Sequence, residues 1–286
     1  MIDFTPALPF LLLWAAFGVS MWAGRRSVAL AFVALSLAAG IVAGVVEWTG
    51  LAVLVLFTGA CLAAARTELP RVHRALAWGV VVILTLALGF NQVPGIHSVL
   101  VLDGVYVSAS SADFTLYWDY DKGFAGILLY LACVQPQASP PWRRAVGATG
   151  AIAILTTVVT LATATAVGYM AWDPKWPAIL GVWIPSNLLL TCVSEETVFR
   201  GILQRHLGRA LSGRVPAPAL VALIVCAAAF GAAHFAGGTT YVLLSTLAGI
   251  GYGAAYHVTG RVEAGILVHF LLNLSHLVLF TYPFAA

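Results

Sequence analysis

Ten apolar stretches follow one another with only short polar interruptions: 6–23, 28–47, 49–66, 73–91, 123–135, 145–170, 177–199, 217–236, 240–257 and 262–281. A helix needs about 20 mostly apolar residues to cross roughly 30 Å of hydrocarbon. Only helices and closed barrels satisfy every backbone amide there. The pattern predicts an all-α, polytopic transmembrane bundle of about 8–10 spans, with the short fifth stretch tilted or re-entrant and the second and third joined as a tight hairpin. The charge content agrees. The 286 residues include only 14 Lys and Arg and 11 Asp and Glu, or 9% charged positions, against about 25% in soluble domains. That is too little polar surface for a soluble globular fold, and 61% hydrophobic positions exclude a disordered chain. The net charge of +3 is dispersed, so no basic stripe is available for nucleic acid.

Alternate loops carry Arg25 and Arg26; Arg66, Arg71 and Arg74; Arg143 and Arg144; Arg200, Arg205, Arg209 and Arg214; and Arg261, which is 12 of the 14 basic residues. The opposite loops hold Lys122 and Lys175 with most of the loop acids, Asp103, Asp113, Asp119, Asp121 and Asp173. By the positive-inside rule the Arg-bearing loops are cytoplasmic and both termini extracytoplasmic. Met1, Ile2, Asp3 and Phe4 contain no positive charge, so the first stretch reads as a retained span rather than a cleaved signal. Cys61, Cys133, Cys192 and Cys226 stand singly, without the paired spacing of a disulfide framework or thiolate site, and read as small core or lipid-facing residues.

Residues 1–140 read as a region of plain N-terminal spans plus an extracytoplasmic loop, 92–122, and residues 141–286 as a second region holding the polar residues of interest. In that loop Val105–Val107 and Phe114–Tyr117 are β-prone and are expected to pair as a hairpin. Asp119–Lys122 reads as a solvated entry to a span, and Pro136, Pro140 and Pro141 as a cytoplasmic turn. Glu47 falls at the tight turn and reads as interfacial.

Ionisable residues within spans are costly and are functional candidates. Three clusters qualify. Glu195, Glu196 and Arg200 lie at the inner end of the seventh stretch. Glu196 and Arg200 are four apart and can pair along a helix, while Glu195 is rotated by about 100° and points elsewhere. A carboxylate balanced by Arg, beside a second one in a poorly solvated site, is a route to a general base. The second cluster is Phe230 with His234 in an Ala- and Gly-rich stretch, and the third is His269 with Asn273, four apart on one face. His276 reads as a weaker addition to that face, and His73, His97, His206 and His257 as loop or interface residues. Glu, two His and Asn together suit water activation with hydrogen-bond donors for a developing oxyanion. No Ser or Cys nucleophile with a paired base is evident, and Ser194 has no assigned role. One geometric tension stands. By axial rise His269 is roughly 10 Å and His234 roughly 25 Å from the same side. They meet only if 201–216 dips into the membrane or the eighth span begins later than Ala217.

Glu195-Glu196-x-x-x-Arg200, Phe230-x-x-x-His234 and His269-x-x-x-Asn273, in this order, resemble the CPBP family. That family comprises type II CAAX prenyl endopeptidases and bacteriocin-processing or immunity proteins, also called Abi proteins. The resemblance spans about 177–281 and implies an intramembrane peptidase with a four-helix catalytic core near the C-terminus. It makes Glu195 the water-activating base, His234 its assistant, His269 and Asn273 the oxyanion donors, and Glu196 with Arg200 their support. Because the family has been described both as metalloproteases and as metal-free glutamate proteases, zinc held by Glu195, His234 and His269 is the alternative to the favoured metal-free reading. The implied substrate is a membrane-bound or lipidated polypeptide, in an integral protein of a bacterial inner membrane. A non-catalytic scaffold, an immunity protein or a small-molecule transporter is the competing class.

Overall fold

The computed structural model describes residues 5–134 and 141–285. The start Met1–Phe4, which lacks a positive charge, and the prolines Pro136 and Pro140 of the expected turn lie outside the described residues.

Helices occupy all ten apolar stretches. Their order is α1 (Leu8–Ala23), α2 (Arg26–Val42), α3 (Trp48–Ala65), α4 (Arg71–Gly89), strands β1 (Val99–Val105) and β2 (Phe114–Trp118), then α5 (Tyr120–Cys133) and α6 (Trp142–Ala166). A long helical run follows: α7 (Leu180–Pro185), a π-helical segment Ser186–Cys192, α8 (Val193–Glu196), a second π-helical segment Thr197–Gln204, and α9 (Arg205–Leu211). The chain closes with α10 (Pro218–Ala233), α11 (Gly238–Thr259) and α12 (Val262–Leu279). Among the described residues α3, α4, α6 and α12 are each long and apolar enough to cross a membrane, and α10 with α11, bent by 58° at their break, is a fifth if taken as one span.

Backbone contacts divide the chain into two compact units. The first comprises 1–101, 116–134 and 189–194. At its centre α5 is buried on nearly every face, which suits a helix of only 14 residues surrounded by protein. Tyr120 opens it, with its hydroxyl 2.9 Å from Ser36 Oγ, and Ser36 in turn donates to Pro9 O at 2.7 Å. The 43–47 turn between α2 and α3 uses Gly44 at φ 69°, a left-handed conformation natural to glycine. Glu47 there meets His97 at 2.9 Å on the exposed surface. The four cysteines are free and buried.

Two glycines on α5 bring the 189–194 segment close. A Cβ at Gly123 would lie 2.7 Å from Leu190 Cδ2, and one at Gly126 would overlap Ser194. Small residues permit this approach between apolar helices. Ser194 Oγ donates to Lys122 O at 3.1 Å, which gives Ser194 a packing role and leaves it no nucleophilic one. Gly126→Ala is therefore expected to destabilise the protein by about 1–3 kcal/mol, the usual cost of overpacking, read by thermal unfolding in detergent. Ser194→Ala is expected to retain activity in the same preparation.

The second unit comprises 102–115, 135–188 and 195–286. Its core joins Ala153, Phe230, Ala248, Tyr252, Ala255, Ala264, Val268 and Leu272. Close helix approach again rests on small residues: a Cβ at Gly231 or Gly251 would overlap Thr246 or Thr156. The C-terminal tail is strapped by the loop before α7, with Asp173 N donating to Leu279 O at 2.9 Å and Lys175 N to Val278 O at 2.7 Å. His276 Nε2 donates to Thr281 O at 3.1 Å, so His276 holds the tail and does not join the His269 face.

Two expectations change. The hairpin forms, but β1 lies earlier than Val105–Val107 and shares only Val105 with it. A two-residue alternation was too short to set the register. The helical run of the seventh stretch continues past its expected end at 199, through Leu211. Residues 201–211 stay helical and pack along α10, with Gly208 against Ala219 and Ala222. The start of α10 at Pro218 is where composition placed it.

Candidate active site

Glu195 and Glu196 stand between the two π-helical segments. π-Helical turns are rare and occur frequently at functional sites, because the wider turn re-aims the side chains that follow. The two neighbouring carboxylates point to different helices, and each takes a different histidine.

Glu196 is fully buried. Its Oε1 accepts from Arg200 Nη1 at 3.0 Å and from His269 Nδ1 at 3.0 Å. The expected Glu196–Arg200 pair is thus present, inside the protein, where a charge persists only if paired. Arg200 is equally buried and donates through Nη2 to Gly249 O at 2.8 Å. Its guanidinium lies 4.8 Å from the Phe230 ring centroid and 5.3 Å from that of Tyr252, positions favourable for cation–π attraction. Gln204, one turn on, repeats the pattern by donating to Gly253 O at 3.1 Å. A Cβ at Gly265 would come within 2.9 Å of Glu196 Oε2, so glycine makes room for the carboxylate.

A carboxylate only accepts, so His269 carries a proton on Nδ1. Tyr252 stacks on the His269 ring with centroids 4.4 Å apart and planes 13° apart, which fixes its plane. Nε2 of such a ring donates only when the imidazole is doubly protonated.

Glu195 is 13% exposed and faces His234, which is 21% exposed, with Oε2 and Nε2 4.0 Å apart. His234 sits at the C-cap of α10, and its Nδ1 donates to Phe230 O at 2.7 Å. The carbonyl cannot donate, so in the neutral ring Nε2 bears the lone pair and turns it toward Glu195. Tyr241, on α11, supports the ring from the side at 5.4 Å. The 4.0 Å gap is too long for a direct hydrogen bond and suits one bridging water at about 2.8 Å from each group.

Asn273 Nδ2 donates to Asn187 Oδ1 at 3.2 Å. Asn187 was not singled out in the sequence, although an amide in an apolar stretch two turns before Glu195 is itself a signal. Asn187–Asn273 and Glu196–His269 are two rungs between the α7–α9 run and α12.

The two histidines share one aromatic neighbour. The Phe230 ring lies against both, 4.6 Å from His234 and 5.7 Å from His269. The zinc set Glu195, His234 and His269 is not assembled: among the described residues no three His, Cys, Asp or Glu side chains are placed to hold a metal ion. His269 Nδ1 is held by Glu196 and His234 Nδ1 by Phe230 O, which leaves Nε2 of each ring as its second nitrogen.

A predominantly helical chain with several membrane-length apolar helices and a buried polar centre is an integral membrane protein. Residues 176–275 match the family model described as Type II CAAX prenyl endopeptidase Rce1-like. The match covers about a third of the chain and includes every residue of the site, from Asn187 to Asn273. Comparison with curated proteins and with solved structures gives no match.

Proposed function

We propose that the protein is an intramembrane endopeptidase of metal-free, glutamate-dependent type, acting on a membrane-bound or lipidated polypeptide. The observation that carries this reading is the Glu195–His234 pair, 4.0 Å apart and partly open, beside a second, fully buried Glu–Arg–His cluster. A water between them gives one hydrogen to Glu195 Oε2 and the other to His234 Nε2, leaving an oxygen lone pair for the scissile carbonyl carbon. Glu195 takes the proton as the C–O bond forms. The carbonyl oxygen becomes an oxyanion that accepts from Asn273 and from His269 Nε2. Donation from Nε2 requires the doubly protonated His269 ring, and with Glu195 protonated the charges of Arg200 and His269 then balance Glu196 and the oxyanion. Collapse of the intermediate breaks the C–N bond, and protonated Glu195 returns its proton to the leaving amine. Water is consumed, and one acid and one amine are produced. The Arg-bearing loops face the cytoplasm in this reading, as the positive-inside rule requires.

The test is cleavage of a quenched-fluorescent panel of prenylated, acylated and transmembrane peptides in liposomes, with and without chelator. Activity lost in Glu195→Gln and His234→Ala but kept with chelator supports the proposal. Loss with chelator and recovery with zinc would overturn the metal-free mechanism, and a wild type that cuts no peptide while the variants still support its cellular role would replace the enzyme by a scaffold. Asn273→Ala is expected to lower kcat by about 10²–10³-fold with KM little changed, as for loss of one oxyanion donor. Asn187→Ala shifts kcat in the same direction by less, because Asn187 acts only by orienting Asn273.

A further inference from the structure

His234 must keep one ring plane if its Nε2 is to face Glu195, and little in its own side chain fixes that plane. The outer torsion of a histidine is broad rather than sharply staggered. The hydrogen bond from Nδ1 to Phe230 O at 2.7 Å anchors one nitrogen and leaves the ring free to swing about that contact. The residue also stands at the C-cap of α10, where the regular helix ends.

Two aromatic rings lean on the imidazole from two different helices. Phe230, one turn earlier on α10, lies 4.6 Å away with planes 48° apart. Tyr241, in the first turn of α11, lies 5.4 Å away with planes 78° apart. Tilted or edge-to-face rings with centroids about 4.5–7 Å apart are a favoured aromatic arrangement. Tyr241 is itself held in place. It stacks on Tyr169 with centroids 6.1 Å and planes 9° apart. A Cβ at Gly237 would overlap the Tyr241 ring, so glycine lets that ring lie against the break between α10 and α11. Tyr169 is fixed in turn just past α6, where its N donates to Ala164 O at 2.9 Å and its O accepts from Ala285 N at 3.2 Å. Tyr169, Tyr241 and His234 therefore form a continuous file of rings that ends on the imidazole facing Glu195. Aromatic contacts are common in helical cores, but this file ends on a side chain whose orientation decides the proposed chemistry.

We propose that Tyr241 is a positioning residue: its ring, backed by Tyr169, holds the His234 imidazole so that Nε2 stays turned toward Glu195. Its consequence for catalysis rests on the peptidase reading, whereas the placement of the ring does not. The contacts of Tyr241 with His234, Tyr169 and Gly237 are made by the ring, so phenylalanine can take its place. Glu195 also lies within electrostatic range of the phenol, which makes direct action of the hydroxyl the competing account. The two accounts differ in what Tyr241→Phe does.

The full-length protein in detergent, labelled with ¹⁵N in its histidine rings, is followed by NMR at a pH where His234 is neutral. The His234 signals are assigned by their loss in His234→Ala. Nitrogen shifts report which ring nitrogen bears the proton, and so read the tautomer rather than the loss of a nearby ring. The same preparations are assayed on the quenched-fluorescent peptides. Tyr241→Phe is expected to keep the single wild-type tautomer, protonated on Nδ1, and to hold kcat within about twofold, because ring packing survives loss of the hydroxyl. Tyr241→Leu is expected to mix the tautomers and to lower kcat by about 10–10²-fold with KM little changed, the cost of a misplaced group in a preorganised centre. Tyr169→Leu, acting only through Tyr241, moves both readouts the same way by less, and it carries the test if Tyr241→Leu does not fold. Wild-type His234 signals in the folded leucine variants overturn the proposal. A Tyr241→Phe protein as inactive as Tyr241→Leu also overturns it and gives the role to the hydroxyl. If the wild type cuts no peptide, the peptidase reading fails and the His234 tautomer alone decides whether Tyr241 places the ring.

Discussion

Glu195→Gln is expected to leave the protein folded and to lower kcat by about 10²–10⁴-fold, the range a positioned general base supplies. The amide keeps the size of the carboxylate and loses its ability to take the proton from water. Glu195 is 13% exposed and faces His234 across 4.0 Å, and the amide keeps the side chain's shape, so the unfolding temperature should stay close to that of the wild type. The check is cleavage rate and thermal unfolding on one detergent preparation. A Glu195→Gln protein that cuts at an undiminished rate would remove this residue from the chemistry.

Glu196→Gln is expected to show the opposite signature. The variant leaves Arg200 fully buried with Gly249 O and aromatic faces but no counter-charge. Removing one partner of a buried ion pair costs about 3–5 kcal/mol, mostly the penalty of stranding the other charge. His269 loses the same carboxylate, so activity falls too, but through loss of the folded form. Glu196→Gln with Arg200→Met should recover part of that stability, because no lone charge then remains in the core. A double-mutant cycle from unfolding data measures the coupling. If Glu196→Gln is as stable as the wild type and inactive, the two glutamates have exchanged roles and Glu196 is the base. Adjacent acids that differ in this way follow from burial alone: one carboxylate is enclosed and balanced, the other is partly open.

The α-helical class and the helical character of the ten apolar stretches were legible in the sequence, because apolar length and the need to satisfy backbone amides leave few alternatives. The Glu196–Arg200 contact was legible too, since four-residue spacing puts such side chains side by side. The π-helical turns around Glu195 and Glu196 were not, because widening a helical turn depends on how its side chains pack against other helices and not on their own spacing. For the same reason the pairing of His269 with Glu196 and of Asn273 with Asn187 lay beyond the sequence: each joins residues 73 and 86 positions apart. Local periodicity says which face a side chain occupies on its own helix. Which partner meets that face is decided only when the helices pack, and here that packing determines which glutamate faces an open histidine and which is closed inside the protein.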